Sequence, residues 1–139
     1  MSERYLVDTS VWIEALRPKG QQEVVRWLKE ALLREAVVLA PPVKTEILLG
    51  AKDERQFAEL SGVLDALPLL GHKDAVWERA ASLGFRLRRL GLVVPLVDLL
   101  IASWALVNDC TLVHRDRHFG LIANVAPELK LLDLSGFSR

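Results

Sequence analysis

Residues Leu92 to Val107 read Leu-Val-Val-Pro-Leu-Val-Asp-Leu-Leu-Ile-Ala-Ser-Trp-Ala-Leu-Val, an almost wholly apolar stretch with one carboxylate, Asp98. A segment that is apolar on every side normally lies in the middle of a protein. The stretch is too short to span a bilayer, which needs about 18 or more apolar residues. Burying an ionised carboxylate is costly unless it is paired or bound to a metal. We therefore predict a buried helix that begins near Val97, with a partner for Asp98 elsewhere in the fold.

The composition favours one domain, residues 1–139, that is large enough to bury its own core. The formal net charge is zero, so the chain is no general polyanion binder, and any nucleic-acid contact requires a local basic patch. The single cysteine, Cys110, excludes an internal disulfide and fits a reducing compartment. The first residues do not have the pattern of a signal peptide. We expect a cytoplasmic protein with no membrane contact.

Short apolar runs alternate with helical patterns along the chain. The predicted strands are 5–7, 37–40, 111–113 and 129–132, with a possible further strand at 68–70. Strands that alternate with helices form a parallel sheet covered on both sides. The expected fold class is therefore α/β, a three-layer α/β/α arrangement with a central, mainly parallel sheet of four to five strands. In such sheets the functional site lies outside the carboxyl ends of the strands.

Four carboxylates are expected near that edge of the sheet. Asp8 and Asp116 each follow a predicted strand, Glu46 follows the second strand by one helical turn, and Asp98 lies near the start of its helix. A cluster of acidic groups has to share protons or be neutralised by a hard divalent cation. Mg²⁺ and Mn²⁺ prefer oxygen ligands, and no His/Cys pair has the spacing of a zinc site. With one or two such ions, the natural reaction is in-line hydrolysis of a phosphodiester.

Basic residues near these carboxylates would hold flanking phosphates, and we predict this role for Lys44, Arg115 and Arg117. Each carboxylate also has an ordinary structural alternative. Asp8, Asp98 and Asp116 lie near predicted helix starts, where Asp is a common N-cap, and Glu46 would then be a solvated helix residue. Taken singly, His114 and His118 are interpreted as loop residues rather than ligands. Only the joint pattern favours a catalytic site.

That joint pattern resembles the PIN-domain family, specifically the VapC-type toxins of bacterial toxin–antitoxin pairs. Four motifs carry the resemblance: residues 6–13 with Asp8 and Ser10, 43–50 with Glu46, 97–106 with Asp98, and 111–119 with Asp116. The resemblance implies a Mg²⁺- or Mn²⁺-dependent endoribonuclease that is usually a homodimer and is held inactive by a VapB-like antitoxin. It also implies that the four carboxylates hold the metal and its attacking water, with Ser10 assisting through its hydroxyl.

The chain departs from the family pattern at two positions of the fourth motif. His114 stands where the family usually has Thr, and His118 stands near the position of a second acidic residue. Both changes make that end of the site more basic and leave the role of Asp116 open. The motifs do not encode which RNA is cut, since RNA specificity lies in loops and shape.

Two other functions remain open from the residues alone. A catalytically inactive PIN-like interaction protein would use its apolar helices to bind partners, although retention of all four carboxylates argues against it. A phosphatase with Asp8 as covalent nucleophile would usually need a second Asp close behind, and the following residues are Thr-Ser-Val-Trp. The apolar content and the predicted amphipathic helices with Trp27 and Trp77 indicate association, either with a second copy or with an antitoxin peptide.

Overall fold

The computed structural model describes residues 3–136, in which four strands form one sheet. The strands are β1 (Tyr5–Val7), β2 (Val37–Val38), β3 (Thr111–His114) and β4 (Leu131–Asp133), in the spatial order β2-β1-β3-β4. All three strand pairings are parallel. The predicted α/β class and the parallel sheet are therefore confirmed.

Helices connect and cover these strands. Within the described part of the chain they are α1 (Thr9–Leu16), α2 (Gln22–Leu33), α3 (Pro41–Leu49), α4 (Glu54–Asp65), α5 (Asp74–Arg89), α6 (Leu96–Val107) and α7 (His118–Ala123). The two central strands show why the sheet is covered on both sides. Leu6 pairs with Leu112 and Val7 with Val113, and all four side chains are fully buried. Such continuous apolar strands are typical of a parallel sheet between helical layers.

Helix α6 is the central buried helix that the sequence predicts. It begins at Leu96, and every residue from 99 to 105 is buried. It packs mainly on α5 and also contacts α3, α7 and β3. The indole N–H of Trp104 donates to the carbonyl of Gly71 at 3.1 Å, so the one polar atom of this large side chain is satisfied. Over residues 3–136, no helix combines the length and apolarity that a membrane crossing requires.

Three predicted strands, 37–40, 68–70 and 129–132, differ from the structure. The ladder of β2 ends at Val38, and Leu39 makes only an isolated parallel bridge with Leu69. Pro68 has no N–H to extend that bridge into a strand, and its carbonyl accepts from the Leu39 N–H at 2.9 Å. The last strand is shifted, because Leu131 rather than Leu129 is the residue that pairs with Leu112.

Candidate functional site

The carboxyl ends of β1 and β3 lie side by side and bring the first and fourth motifs together. Asp8 directly follows β1, and Asp116 follows β3 by two residues. The first turn of α6 supplies Asp98, whose charge interacts with those of Asp8 and Asp116. Helix α3 supplies Glu46, whose charge interacts with that of Asp8. All four predicted site carboxylates therefore lie at one edge of the sheet.

Asp8 is both a helix cap and part of this cluster. Its Oδ2 accepts from the main-chain N–H of Ser10 at 3.0 Å and from the Ser10 hydroxyl at 2.6 Å. The same hydroxyl oxygen accepts from the Arg115 main-chain N–H at 3.0 Å, which ties the first motif to the fourth. Burial raises the pKa of Asp8, the hydrogen bonds from Ser10 lower it, and the nearby Glu46 carboxylate raises it. Asp8 is therefore the N-cap of α1 and also lies within the carboxylate cluster.

Glu46 is half-buried and has a defined orientation. The hydroxyl of Thr9, the residue that follows Asp8, donates to Glu46 Oε1 at 2.6 Å. This bond joins the start of α1 to the middle of α3 and holds the Glu46 carboxylate beside the cluster. The alternative of a freely solvated helix residue does not fit this geometry.

Asp98 is not a helix cap, because the cap position of α6 is Pro95 and Asp98 lies inside the first turn. Its Oδ2 lies 3.0 Å from Nδ1 of His118. Burial, followed by the charges of Asp116 and Asp8, raises the pKa of Asp98 from 3.8 to about 6, although His118 acts in the opposite direction. Asp98 is half-buried rather than buried, and its neighbours are a histidine from α7 together with further carboxylates.

The expectation that His118 is a loop residue is wrong. It is the first residue of α7, and its ring nitrogen Nδ1 lies between Asp98 Oδ2 and Asp116 Oδ1, 3.0 Å from each. Its main-chain N–H also donates to Asp116 Oδ1 at 2.8 Å. The available signal was its position near the family's second acidic residue, which marks this point of the chain as part of the site.

His114 also differs from the loop residue that we expected. It is the last residue of β3 and is buried, and its ring packs against Phe119 with the centroids 5.2 Å apart. Burial lowers the pKa of His114, which favours the neutral ring. Its Nδ1 accepts from the main-chain N–H of Asp116 at 3.2 Å, so His114 fixes the backbone beside that carboxylate.

Two of the three predicted phosphate-binding side chains are in ion pairs within the protein. Arg115 Nη1 lies 2.6 Å from Oε1 of the buried Glu14, and Lys44 Nζ lies 2.7 Å from Asp65 Oδ1. Arg117 is exposed and forms no ion pair within residues 3–136. Among the three, Arg117 is the side chain most available to a substrate phosphate.

The donor atoms at this edge fit a divalent cation. One ligand atom each from Asp98, Asp116 and His118 lie within 4.8 Å of one another. Nδ1 of His118 is buried, and neither of its carboxylate contacts has the alignment of a hydrogen bond. A buried polar atom without a hydrogen bond is costly, and clustered carboxylates repel one another. A bound cation would remove both penalties.

Comparison with known proteins identifies the family of the chain. The sequence-family model of the PIN domain matches residues 5–125. A VapC ribonuclease of Mycobacterium bovis and ribonuclease VapC11 of Mycobacterium tuberculosis are each 38% identical over 125 residues, which cover 86% of this chain and 92% of the relative.

Solved structures share the fold at low identity. VapBC2 from Rickettsia felis, bound to a promoter DNA fragment, matches with a TM-score of 0.77 and 23% identity over 93% of this chain and 97% of that chain. VapBC-1 from nontypeable Haemophilus influenzae matches with a TM-score of 0.76 and 17% identity over 94% and 98% of the two chains. From the matched family model and the 38% identical relatives, the chain belongs to the PIN-domain family, within its VapC group.

Proposed function

We propose that this protein is a metal-dependent endoribonuclease and the toxin of a type II toxin–antitoxin pair. The observation that carries the proposal is the convergence of Asp8, Asp98 and Asp116, with Glu46 beside them, at the carboxyl edge of the sheet. The similarity to proteins named as ribonucleases supports RNA as the substrate. The VapBC complexes among the structural neighbours support a VapB-like antitoxin as the partner.

Different residues at the site would bind the metal, orient its ligands and position the attacking water. When bound, Mg²⁺ or Mn²⁺ activates water and neutralises the phosphodiester. Asp98 in the first turn of α6 and Asp116 in the loop between β3 and α7 would provide oxygen ligands, and Asp8 would be the third member of the carboxylate set. Both hydrogen bonds from Ser10 go to Asp8 Oδ2, which holds the carboxylate in one orientation. Glu46, oriented by Thr9, is suited to accept a hydrogen bond from the attacking water.

The geometry of Asp8 argues against the phosphatase alternative. Only 4% of the residue is exposed. Its Oδ2 accepts two hydrogen bonds from Ser10, which lower the nucleophilicity of that oxygen. A covalent nucleophile needs an open line of approach to the phosphorus atom, which such burial restricts. The oriented Glu46 and the buried Nδ1 of His118 favour a working site over an inactive interaction protein.

Two exposed apolar surfaces support the proposed partners. A groove of about 570 Å³ between α1, α3 and α4 includes the exposed side chains of Ile13, Leu16 and Val63 and also Glu46. A peptide in this groove would lie against the site, so we assign the groove to the antitoxin. A second surface, along α5, the loop after it and the first residue of α6, contains the exposed side chains of Trp77, Phe85, Leu90, Val93 and Leu96. We assign that surface to a second copy of the chain. Trp27 instead packs edge-on against Tyr5, with the ring centroids 5.1 Å apart.

Asp98→Asn is the principal test of the proposed function. Removing one charge relieves repulsion and desolvation, so the metal-free variant should be at least as stable as wild type near neutral pH. Its Mn²⁺ affinity and its single-turnover RNA cleavage should each fall by about 100-fold or more, because a charged ligand is lost. Melting temperatures with and without Mn²⁺ and single-turnover cleavage measure these effects. Asp74→Asn is the matched control, since Asp74 is an exposed acidic residue in the first turn of α5. Near-normal cleavage and Mn²⁺ binding in Asp98→Asn would remove this residue from the site.

The raised pKa of Asp98 predicts a pH dependence of stability in the metal-free protein. The folded state holds this proton more tightly than the unfolded state, with a pKa of about 6 against 3.8. The stabilisation from the bound proton is complete below the unfolded pKa and is lost as pH rises through the folded pKa. The melting temperature of wild type should therefore fall relative to that of Asp98→Asn across this interval. A difference between the two proteins that does not change with pH would contradict the assignment.

Arg117 and Arg115 should respond differently to the same substitution. Arg117→Gln should weaken RNA binding in EDTA and reduce the log–log salt slope by about 0.7, with little change in stability. Arg115→Gln should lower the free energy of unfolding by up to about 3 kcal/mol, because Arg17 remains as the second partner of the buried Glu14. Salt-dependent RNA titrations and urea denaturation measure the two effects. An unchanged salt slope in Arg117→Gln would exclude a phosphate contact by this residue.

The surface on α5 predicts the oligomeric state. Sedimentation at tens of micromolar should show a dimer for wild type and a monomer for Phe85→Glu, since Phe85 is 66% exposed within that surface. Leu49→Glu should leave the dimer intact, because Leu49 is equally apolar and 79% exposed but lies at the end of α3. A monomeric wild type would refute the proposed dimer.

A further inference from the structure

We propose that His118 is itself a ligand of the divalent cation, and that its ring nitrogen shifts the site's preference from Mg²⁺ toward first-row transition-metal ions. The proposal rests on the metal-dependent function proposed above and concerns one of the two positions at which this chain departs from the family pattern. It goes beyond the four carboxylates by adding a ligand of different chemistry.

The nitrogen of His118 and the two carboxylate oxygens are spaced like neighbouring ligands of one cation. Nδ1 of His118 lies 3.0 Å from Asp98 Oδ2 and 3.0 Å from Asp116 Oδ1. In an octahedral site with bonds of about 2.1 Å, neighbouring ligand atoms are about 3.0 Å apart. The nitrogen is therefore already at the separation that shared coordination with each carboxylate requires. No large side-chain movement is needed to form the site.

The surroundings of Nδ1 also favour coordination of a cation. The atom is buried and has no aligned hydrogen-bond partner in the described part of the chain, although two carboxylate oxygens are close. A buried polar atom in that state is costly unless another group satisfies it. The backbone that carries the ring is anchored, because α7 begins at His118 and the next residue, Phe119, is fully buried. A cation would use the nitrogen lone pair and both carboxylates together.

The choice of ion follows from ligand chemistry. Carboxylate and water oxygens suit Mg²⁺, whereas imidazole suits transition-metal ions. Replacing one oxygen ligand by a ring nitrogen therefore favours a transition-metal ion over Mg²⁺ relative to an all-oxygen site. His118→Asp supplies the matched all-oxygen variant at the same position.

The experiment compares metal binding in wild type, His118→Asp and the control His72→Asn. His72 packs near Trp77 and Trp104 rather than in the cluster. Calorimetric titration should show that the ratio of Mn²⁺ to Mg²⁺ affinity falls at least about tenfold in His118→Asp and is unchanged in His72→Asn. Pulsed electron paramagnetic resonance of bound Mn²⁺ should detect coupling to an imidazole ¹⁴N in wild type and in His72→Asn, and none in His118→Asp.

The outcomes separate this inference from the proposed function. If wild type binds Mn²⁺ and cleaves RNA without ¹⁴N coupling, or if the affinity ratio is unchanged in His118→Asp, the ligand role is wrong and the nuclease proposal stands. A third variant, His118→Ala, is titrated with Mn²⁺ in the same way. Tighter Mn²⁺ binding in His118→Ala than in wild type would also overturn the inference, because the ring would then compete with the cation. A wild type that binds no divalent ion would overturn both proposals. The wild-type spectrum decides the ligand role even if a His118 variant does not fold.

Discussion

The mutual repulsion of carboxylates held close together, partly out of water, is the constraint on which the rest of the site depends. Burial and neighbouring charges raise the pKa of both Asp8 and Asp98. The fold offsets part of this cost through donors fixed by the backbone. Ser10 donates twice to Asp8, and the His118 N–H donates to Asp116. The carboxylates are therefore oriented before any cation or substrate arrives, which is the condition for electrostatic preorganisation.

The fold was predictable because its central elements have unambiguous patterns. Strands β1 and β3 are buried on both faces and appear as continuous apolar runs, and α6 is apolar on nearly every side. The carboxyl edge of a parallel sheet then follows from topology, and with it the gathering of Asp8, Asp98 and Asp116. Strand ends were less predictable, because pairing at Leu39 and Leu131 depends on which backbone groups the neighbouring segment presents.

Side-chain partners could not be predicted from the sequence in the same way. Arg115 and Arg117 are two positions apart in one polar motif, yet Arg115 pairs with the buried Glu14 while Arg117 remains exposed. The partner of Arg115 lies in α1, about a hundred positions earlier, and no local pattern encodes that distance. The sequence did not predict the contacts of His118 with Asp98 and Asp116 for a related reason, since these contacts depend on the position and direction of the start of α7. The family resemblance located the position, and the structure supplied the orientation of the ring.

The order of the strands also determines when the site can exist during biosynthesis. The first motif begins in β1, which pairs with β3 only after β3 has been synthesised. The bond between Ser10 and Arg115 joins residues 105 positions apart. Proteins are made from the N-terminus, and contacts between distant segments form only after both have emerged from the ribosome. A chain whose translation stops before position 111 has Asp8, Glu46 and Asp98 but lacks the strand that brings Asp116 and His118 to them. Translation products that end before position 111 therefore carry no assembled site.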